Sequence, residues 1–393
     1  MYRLVQRRGI IGLFCLLFVA SSVVPGWAQK DNRFEVSKNL DIFNSLLKEV
    51  EMFYVDSVDV DKTVQRGIEA MLAGLDPYTE YYPEQKTEEL SLMTTGEYGG
   101  IGSLIRQRNN EGGVMIAEPT EGMPADLAGL KPGDLILAID TIDVSKATNS
   151  RVSELLKGVP NTKMVLTIQR PGEKKPRKFE ITRKQITTPQ VTYYGVKNDS
   201  IGYIYLKAFT IKSAQEVKEA FLDLKKNHNI KSLVLDLRGN GGGVLEGAVQ
   251  IVGMFVPKGS EVLSTKGKIK QWDRTYRTST EPLDTVMPLA ILINGGTASA
   301  AEIVSGSLQD MDRAVLVGQR SFGKGLVQAP RDLPYNGKVK ITMSKYYIPS
   351  GRCIQQIDYS HRKEDGSVAA IPDSLTSVFY TSKKRPVRDG GGV

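Results

Sequence analysis

Apolar residues recur at Leu40, Phe43, Leu47 and Val50, the interval of one helix face, and predict a helix over residues 40–54. A second set, Val64, Ile68, Met71, Leu72 and Leu75, predicts another helix. Asp76–Pro77 stops it, because proline disfavours the helical conformation of the residue before it. Neither helix can bury its apolar face alone, so both are expected to pack on something downstream. The polar stretch from Glu84 to Gly96 reads as a connection. No internal repeat or low-complexity linker interrupts the chain.

Residues 97–186 change character. Glycines cluster at Gly99, Gly100 and Gly102, and short β-rich runs follow at Gly113–Ala117, Leu135–Ile139 and Met164–Gln169. Within "EGMPADLAGLKPGDLILAID", residues 121–140, a short helix (Ala125–Ala128) and a Pro132–Gly133–Asp134 turn lead into an apolar strand. From about residue 187, strand and helix alternate. Strands are predicted at Ile201–Phe209, Ile230–Leu237 and Pro288–Ile293. Helices are predicted at Ser213–Leu224, opened by a Ser213/Glu216 capping-box pair, at Val244–Phe255, and from Ser299 to Gln309. Such alternation argues an α/β layered core.

Composition narrows the class. A hydrophobic fraction of 40% and a charged fraction of 24% over 393 residues exclude a disordered tail, a coiled coil, a collagen-like fibre and a disulfide-stapled miniprotein. The length allows two or three domains. Residues 1–28 read as a secretory signal: Arg3, Arg7 and Arg8, an apolar run from Ile10 to Val24, then Pro25–Ala28 with cleavage after Ala28. An uncleaved membrane anchor is the alternative. Removing those three arginines lowers the net charge from +8 to +5, spread along the chain, which argues against nucleic-acid binding. Cys15 leaves with the signal, so only Cys353 remains and no internal disulfide can form. The two histidines, His228 and His361, leave little material for histidine catalysis or a zinc site.

Three motifs compete for the chemistry. "GQRSFGKGL", Gly318–Leu326, nearly matches a phosphate-binding P-loop, but Gly325 takes the hydroxyl position and Pro330 and Pro334 forbid the helix that must follow. "DLRGNGGGVL", Asp236–Leu245, echoes the nucleophile segment of trypsin-like proteases, yet Gly241 stands where their serine would be, and His228 lies in a polar, exposed run. Its glycines are either a turn needing positive φ or backbone N–H groups that meet a developing negative charge. In "LINGGTASAAEIVSGSLQD", Leu292–Asp310, Ser299 falls where a strand, a small-residue turn and a helix N-terminus meet. It is either a helix cap or a nucleophile beside unpaired N–H groups. Lys324 follows, flanked by Gly323 and Gly325, with Gln328 four residues on. A serine needs a base, and a buried lysine can stay neutral enough to serve.

Taken together, these residues resemble the C-terminal processing peptidases, also called tail-specific proteases. The resemblance runs in order through "YVDSVDVDKTVQRGIEAMLAGLDPYTEYY", "GEYGGIG", "IGYIYLKAF", "DLRGNGGGVL", "NGGTASAAEIVSGSLQD", "SFGKGLVQ" and "MSKYYIPSGRCIQ". It implies an α/β multidomain protein with a crotonase-like peptidase core (187–393), an inserted PDZ domain (96–186) and an N-terminal helical region (29–95). By motif position it implies Ser299 as nucleophile, Lys324 as general base and Gln328 as the residue that orients the lysine. The oxyanion hole would use Ala300 and Gly242 or Gly243. Tyr98, Gly99, Gly100, Ile101 and Gly102 would hold a peptide's terminal carboxylate while the peptide adds as a strand to a sheet edge.

The resemblance further implies an exported, periplasmic serine endopeptidase acting on protein or peptide substrates with apolar C-termini. No metal and no organic cofactor is implied, and there is room for a membrane-anchored adaptor or a homodimer. A catalytically silent scaffold that only binds C-termini is the alternative. Three departures stand out. Gly239 and Gly241 replace Asn and Pro of the usual glycine turn, and Lys157–Gly158 replaces an Arg–Gly pair. The chain also stops at "RPVRDGGGV", where relatives continue, which reads as truncation.

Overall fold

The structure, a computed structural model, describes residues 32–108 and 112–393. Residues 1–28, read above as a secretory signal, lie outside the described residues. The chain divides into two compact units, the first reaching Gly67 and the second running from Ile68 to Val393.

In the first unit, α1 (Arg33–Phe53) buries no residue, and Phe34, Leu40 and Phe43 are exposed. Helix α2 (Val60–Ala73) crosses the division and buries only Leu72. No helix among the described residues is long and apolar enough to cross a membrane.

The second unit continues with β1 (Glu80–Tyr82) and α3 (Thr87–Thr95). The expected connection at Glu84–Gly96 is thus largely helical. The sequence of α3, TEELSLMTT, is mostly polar and offers no extended apolar stripe for a periodicity search to find. Its local signals are Glu88 and Glu89 in the first turn, which favour the positive helix end, and Gly96, whose N–H closes the last turn on Leu92 O.

A small β unit follows. Strand β2 (Glu97–Gly100) leads into β3 (Ser103–Gln107), β4 (Val114–Pro119), α4 (Pro124–Leu127), β5 (Leu135–Ile139), β6 (Ile142–Asp143), α5 (Asn149–Leu156), β7 (Lys163–Gln169) and β8 (Arg177–Thr182). The sheet order is β3-β4-β5-β7-β8 with β6 on β5, and β9 (Lys184–Thr187) pairs back on β2. Alternating side chains of these strands, Ile116, Ile136, Leu166 and Ile168 among them, build a separate core with Val152 and Leu156 of α5. Asp134 of the Pro-Gly-Asp turn is buried and takes both arms of Arg170, at 2.8 Å each. Strand β3 is an edge strand beside α5, whose Asn149 N–H donates to Gln107 at the end of β3.

The larger core contains β10 (Val191–Lys197), β11 (Ile201–Leu206), α6 (Ser213–Asn227), β12 (Ser232–Asp236), α7 (Leu245–Gly253), β13 (Glu261–Gly267) and β14 (Arg274–Arg277). Then come β15 (Leu289–Ile293), α8 (Ala300–Asp310), β16 (Val315–Gly318), β17 (Leu326–Asp332) and β18 (Lys338–Tyr347). One sheet has the order β10-β11-β12-β15-β16, parallel except at β10/β11. The second, antiparallel, runs β1-β18-β13-β14 with β17 on β18. Ile204, Leu206, Leu233, Leu235 and Ile291 face α6, α7 and α8 in one core. Helix α8 is buried along nearly its whole length, and Ser307 donates to Val262 O of β13. Its far end is fixed by Asp310, which is paired at 3.0 Å with the buried Arg352.

Candidate active site

Ser299 ends the turn after β15 and opens α8 with φ 55° and ψ −116°, a region that residues bearing a Cβ rarely adopt. The turn is fixed from several sides. Thr297 Oγ1 donates to Leu237 O, Ala298 N–H donates to Asn240 O, and the buried Tyr346 hydroxyl reaches Ser299 O at 3.3 Å.

The glycine turn lies against it. A Cβ on Gly242, at φ 96°, would stand 2.7 Å from Ser299 Cβ and 2.9 Å from Ala300 N, so only glycine fits. Gly242 N–H donates to Asn240 Oδ1 and its carbonyl accepts from Phe209. Both sides of Gly242 are thus committed to the turn, which makes it the wall beside Ser299. The N–H groups of Gly243 and Ala300 have no hydrogen bond to the described residues. The turn carries Gly239 and Gly241 where the resemblance would have Asn and Pro, yet it is pinned through Asn240 and through Gly239 N–H on Asn294.

Lys324 lies on the loop into β17. Gly323 (φ 84°) and Gly325 pack so closely on residues 353–356 that a Cβ would meet Gln356 Cβ at 2.6 Å and Gln355 N at 2.9 Å. The lysine stem is therefore enclosed largely by backbone. Burial, followed by the nearby charge of Lys340, lowers its ammonium from 10.5 to about 8; Asp76, Glu80 and Glu302 pull the other way. Nζ stands 4.1 Å from the centre of the Tyr78 ring. Burial also raises the Tyr78 phenol, which faces Tyr359. Gln328 does not hydrogen-bond Lys324: its amide donates to Thr342 Oγ1 at 3.0 Å, and Thr342 joins Thr79 and Asp76.

Two features were missing from the sequence reading. One is the Asp76–Pro77–Tyr78–Thr79 turn, which houses the lysine but reads in sequence only as a helix stop. The other is Glu302. Its buried carboxylate accepts from Ser321 Oγ (2.5 Å) and Gly323 N–H (2.6 Å) at Oε1, and from Ser299 N–H (2.7 Å) and Lys324 N–H (2.9 Å) at Oε2. Burial raises its carboxyl, and the four donors oppose that rise. The Ser-x-x-Glu spacing signals a helix cap, and no local signal announces the other three donors.

In the small β unit, Tyr98 and Gly99 lie in β2, opposite Ile186 and Gln185, and Gly100 ends that strand. Gly99 O accepts from Gly158 N–H. The Lys157 ammonium lies 5.4 Å from the Tyr98 ring centre, while Arg183 closes the end of α5 by donating to Leu155 O and Leu156 O. Ile101 and Gly102 lie on the turn into the edge strand β3. The N–H groups of Ile101 and Gly102 have no hydrogen bond to the described residues.

The candidate site thus gathers a strained serine at a helix N-terminus, a glycine turn beside it and a half-buried lysine within an α/β core. Residues 200–360 match the sequence profile of peptidase family S41, and residues 115–170 match that of the PDZ domain. The carboxy-terminal-processing protease of Bartonella bacilliformis is 36% identical over 345 residues, 87% of this chain and 77% of that protein. A probable CtpA-like serine protease of Staphylococcus aureus is 33% identical over 320 residues, 80% of this chain and 62% of that protein. Among solved structures, a photosystem II D1 C-terminal processing protease is 29% identical with a TM-score of 0.44, covering 78% of this chain and 82% of that one. The chain belongs to the carboxy-terminal-processing proteases, serine-type peptidases of family S41 with a PDZ domain.

Proposed function

We propose that Ser299 is the nucleophile and Lys324 the general base of an exported endopeptidase that shortens proteins with apolar C-termini. The observation that carries the reading is the joint placement of the two: the N–H groups of Ser299 and Lys324 bond the same Glu302 oxygen, beside a lysine lowered to about 8. Neutral Lys324 takes the Ser299 proton as Oγ attacks the scissile carbonyl, and the C–N bond breaks once the leaving amine is protonated. Ala300 and Gly243 N–H hold the oxyanion, with Gly242 as the neighbouring wall. Gln328 steadies the lysine once its amide turns from Thr342.

Residues 96–186 serve as the capture module, between a helical region at 29–95 and the peptidase core at 187–393. A substrate tail adds to β3 along α5, its carboxylate on the Ile101 and Gly102 N–H groups, with Tyr98, Gly99 and Gly100 forming the strand behind them. The exposed apolar side of α1 supports a protein partner there, either an adaptor or a second copy. Envelope localisation rests on the signal read at residues 1–28.

The test is purified chain with an unfolded protein bearing an apolar C-terminus, products read by mass spectrometry. Ser299→Ala and Lys324→Ala are expected to abolish shortening while tail binding persists. Turnover by either variant overturns the mechanism. Binding without shortening by the unaltered chain favours the silent scaffold, a reading that Gln328's bond to Thr342 supports.

A further inference from the structure

We infer that Glu302 is a positioning residue that locks the serine turn and the lysine loop into one register through a single buried carboxylate. The inference rests on the assignment of Ser299 and Lys324 as the reacting pair. A helix cap would need only the bond from Ser299 N–H. The other three donors, Ser321 Oγ, Gly323 N–H and Lys324 N–H, belong to a loop 19 to 22 residues further along the chain. Each oxygen receives two donors, and the pair on Oε2 are the amides of the two reacting residues themselves. Sliding the lysine loop past the serine turn breaks at least one of these bonds at a carboxylate with no exposed surface, so the two move together.

The location argues against a purely packing role. Glu302 has no exposed surface, and burying a carboxylate is unfavourable unless its acceptors are satisfied. An apolar residue would fill the same space at lower cost. It would leave the N–H groups of Ser299, Gly323 and Lys324 unpaired and the two segments free to drift. The charge has a second effect, since an anion this close favours the protonated form of Lys324. Glu302 thus positions the base while opposing its deprotonation, and burial of the lysine offsets that opposition.

The experiment compares kcat and the pH dependence of kcat/KM for Glu302→Gln and Glu302→Asp in the full chain, with folding checked by near-ultraviolet circular dichroism. Glutamine offers one acceptor oxygen and turns an NH2 group toward two N–H donors. Its kcat should fall about 10²-fold, the scale of an ångström misplacement, and its acid limb should move to lower pH because the anion is gone. Aspartate keeps the charge but is too short to span both segments. Its kcat should fall comparably with the limb in place and KM unchanged.

Wild-type kcat in either folded variant overturns the inference, as does a Glu302→Gln limb that stays put. If Glu302→Gln does not fold, Glu302→Asp decides alone by its kcat. An active Ser299→Ala chain would instead defeat the underlying reading, whatever the Glu302 variants do.

Discussion

The ammonium of Lys324 stands 4.1 Å from the centre of the Tyr78 ring, on a turn far away in sequence. The ring does two opposed things: it shields the lysine from water, which favours the neutral amine, and it offers a π face, which favours the cation. Magnitudes decide between them. Lowering the group from 10.5 to about 8 corresponds to roughly 3 kcal/mol, burial being the largest cause. A cation–π contact contributes ~0.5–2 kcal/mol.

Burial as a whole therefore outweighs that contact, and the Tyr78 ring is one part of the burial. Since only neutral Lys324 can accept a proton, activity should climb with pH through about 8 and then level. Tyr78→Ala should hydrate the ammonium and move that climb to higher pH, while Tyr78→Phe keeps the ring and leaves it near wild type. A kcat/KM profile flat from pH 6 to 9 would contradict the assignment of the base.

The close contact of Gly242 with Ser299 gives a sharper test of the wall. Gly242→Ala brings a Cβ within 2.7 Å of Ser299 Cβ at a backbone φ of 96°. The variant should lose about 1–3 kcal/mol of stability and nearly all activity, read by denaturant melts beside turnover. Full activity would place the oxyanion site elsewhere.

Much of this site was legible in the sequence because its parts are local. Ser299 sits where an apolar strand meets a helix pattern and Lys324 sits between two glycines, which made both candidates, and the resemblance gave each its expected role. The PDZ segment was legible through turn chemistry, Pro132–Gly133–Asp134 above all. Tyr78 was not, because its meeting with Lys324 is created only when β1 pairs with β18. Nothing local in the sequence separates Gly242 from Gly243, since the bond that commits Gly242 N–H to the turn depends on where Asn240 points. Helix α3 was read as a connection because its sequence is largely polar.

At the far end of α8, Asp310 and Arg352 form a buried pair, with Arg352 only 3% exposed. Removing the guanidinium strands the carboxylate away from water, a loss of ~3–5 kcal/mol. Arg352→Ala should therefore lower the unfolding midpoint markedly. A change under about 1 kcal/mol would mean that water reaches Asp310.

Capture of tails can be measured apart from cleavage. In the Ser299→Ala chain, a peptide with an apolar C-terminus should bind, and its C-terminally amidated form should bind ~10- to 100-fold more weakly, the worth of a charged hydrogen bond. Equal affinities would remove the carboxylate from recognition.

Ser299 holds a backbone shape that suits a residue with no side chain at all. Replacing it with glycine should release ~1–3 kcal/mol and raise the melting temperature. A library selected only for surviving heat should then drift toward glycine at this position and go silent. If Ser299 is the nucleophile, thermal tolerance and turnover pull in opposite directions at this one residue, so a melting screen alone, with no substrate present, should single out Ser299 as the position where the hardiest variant is inert.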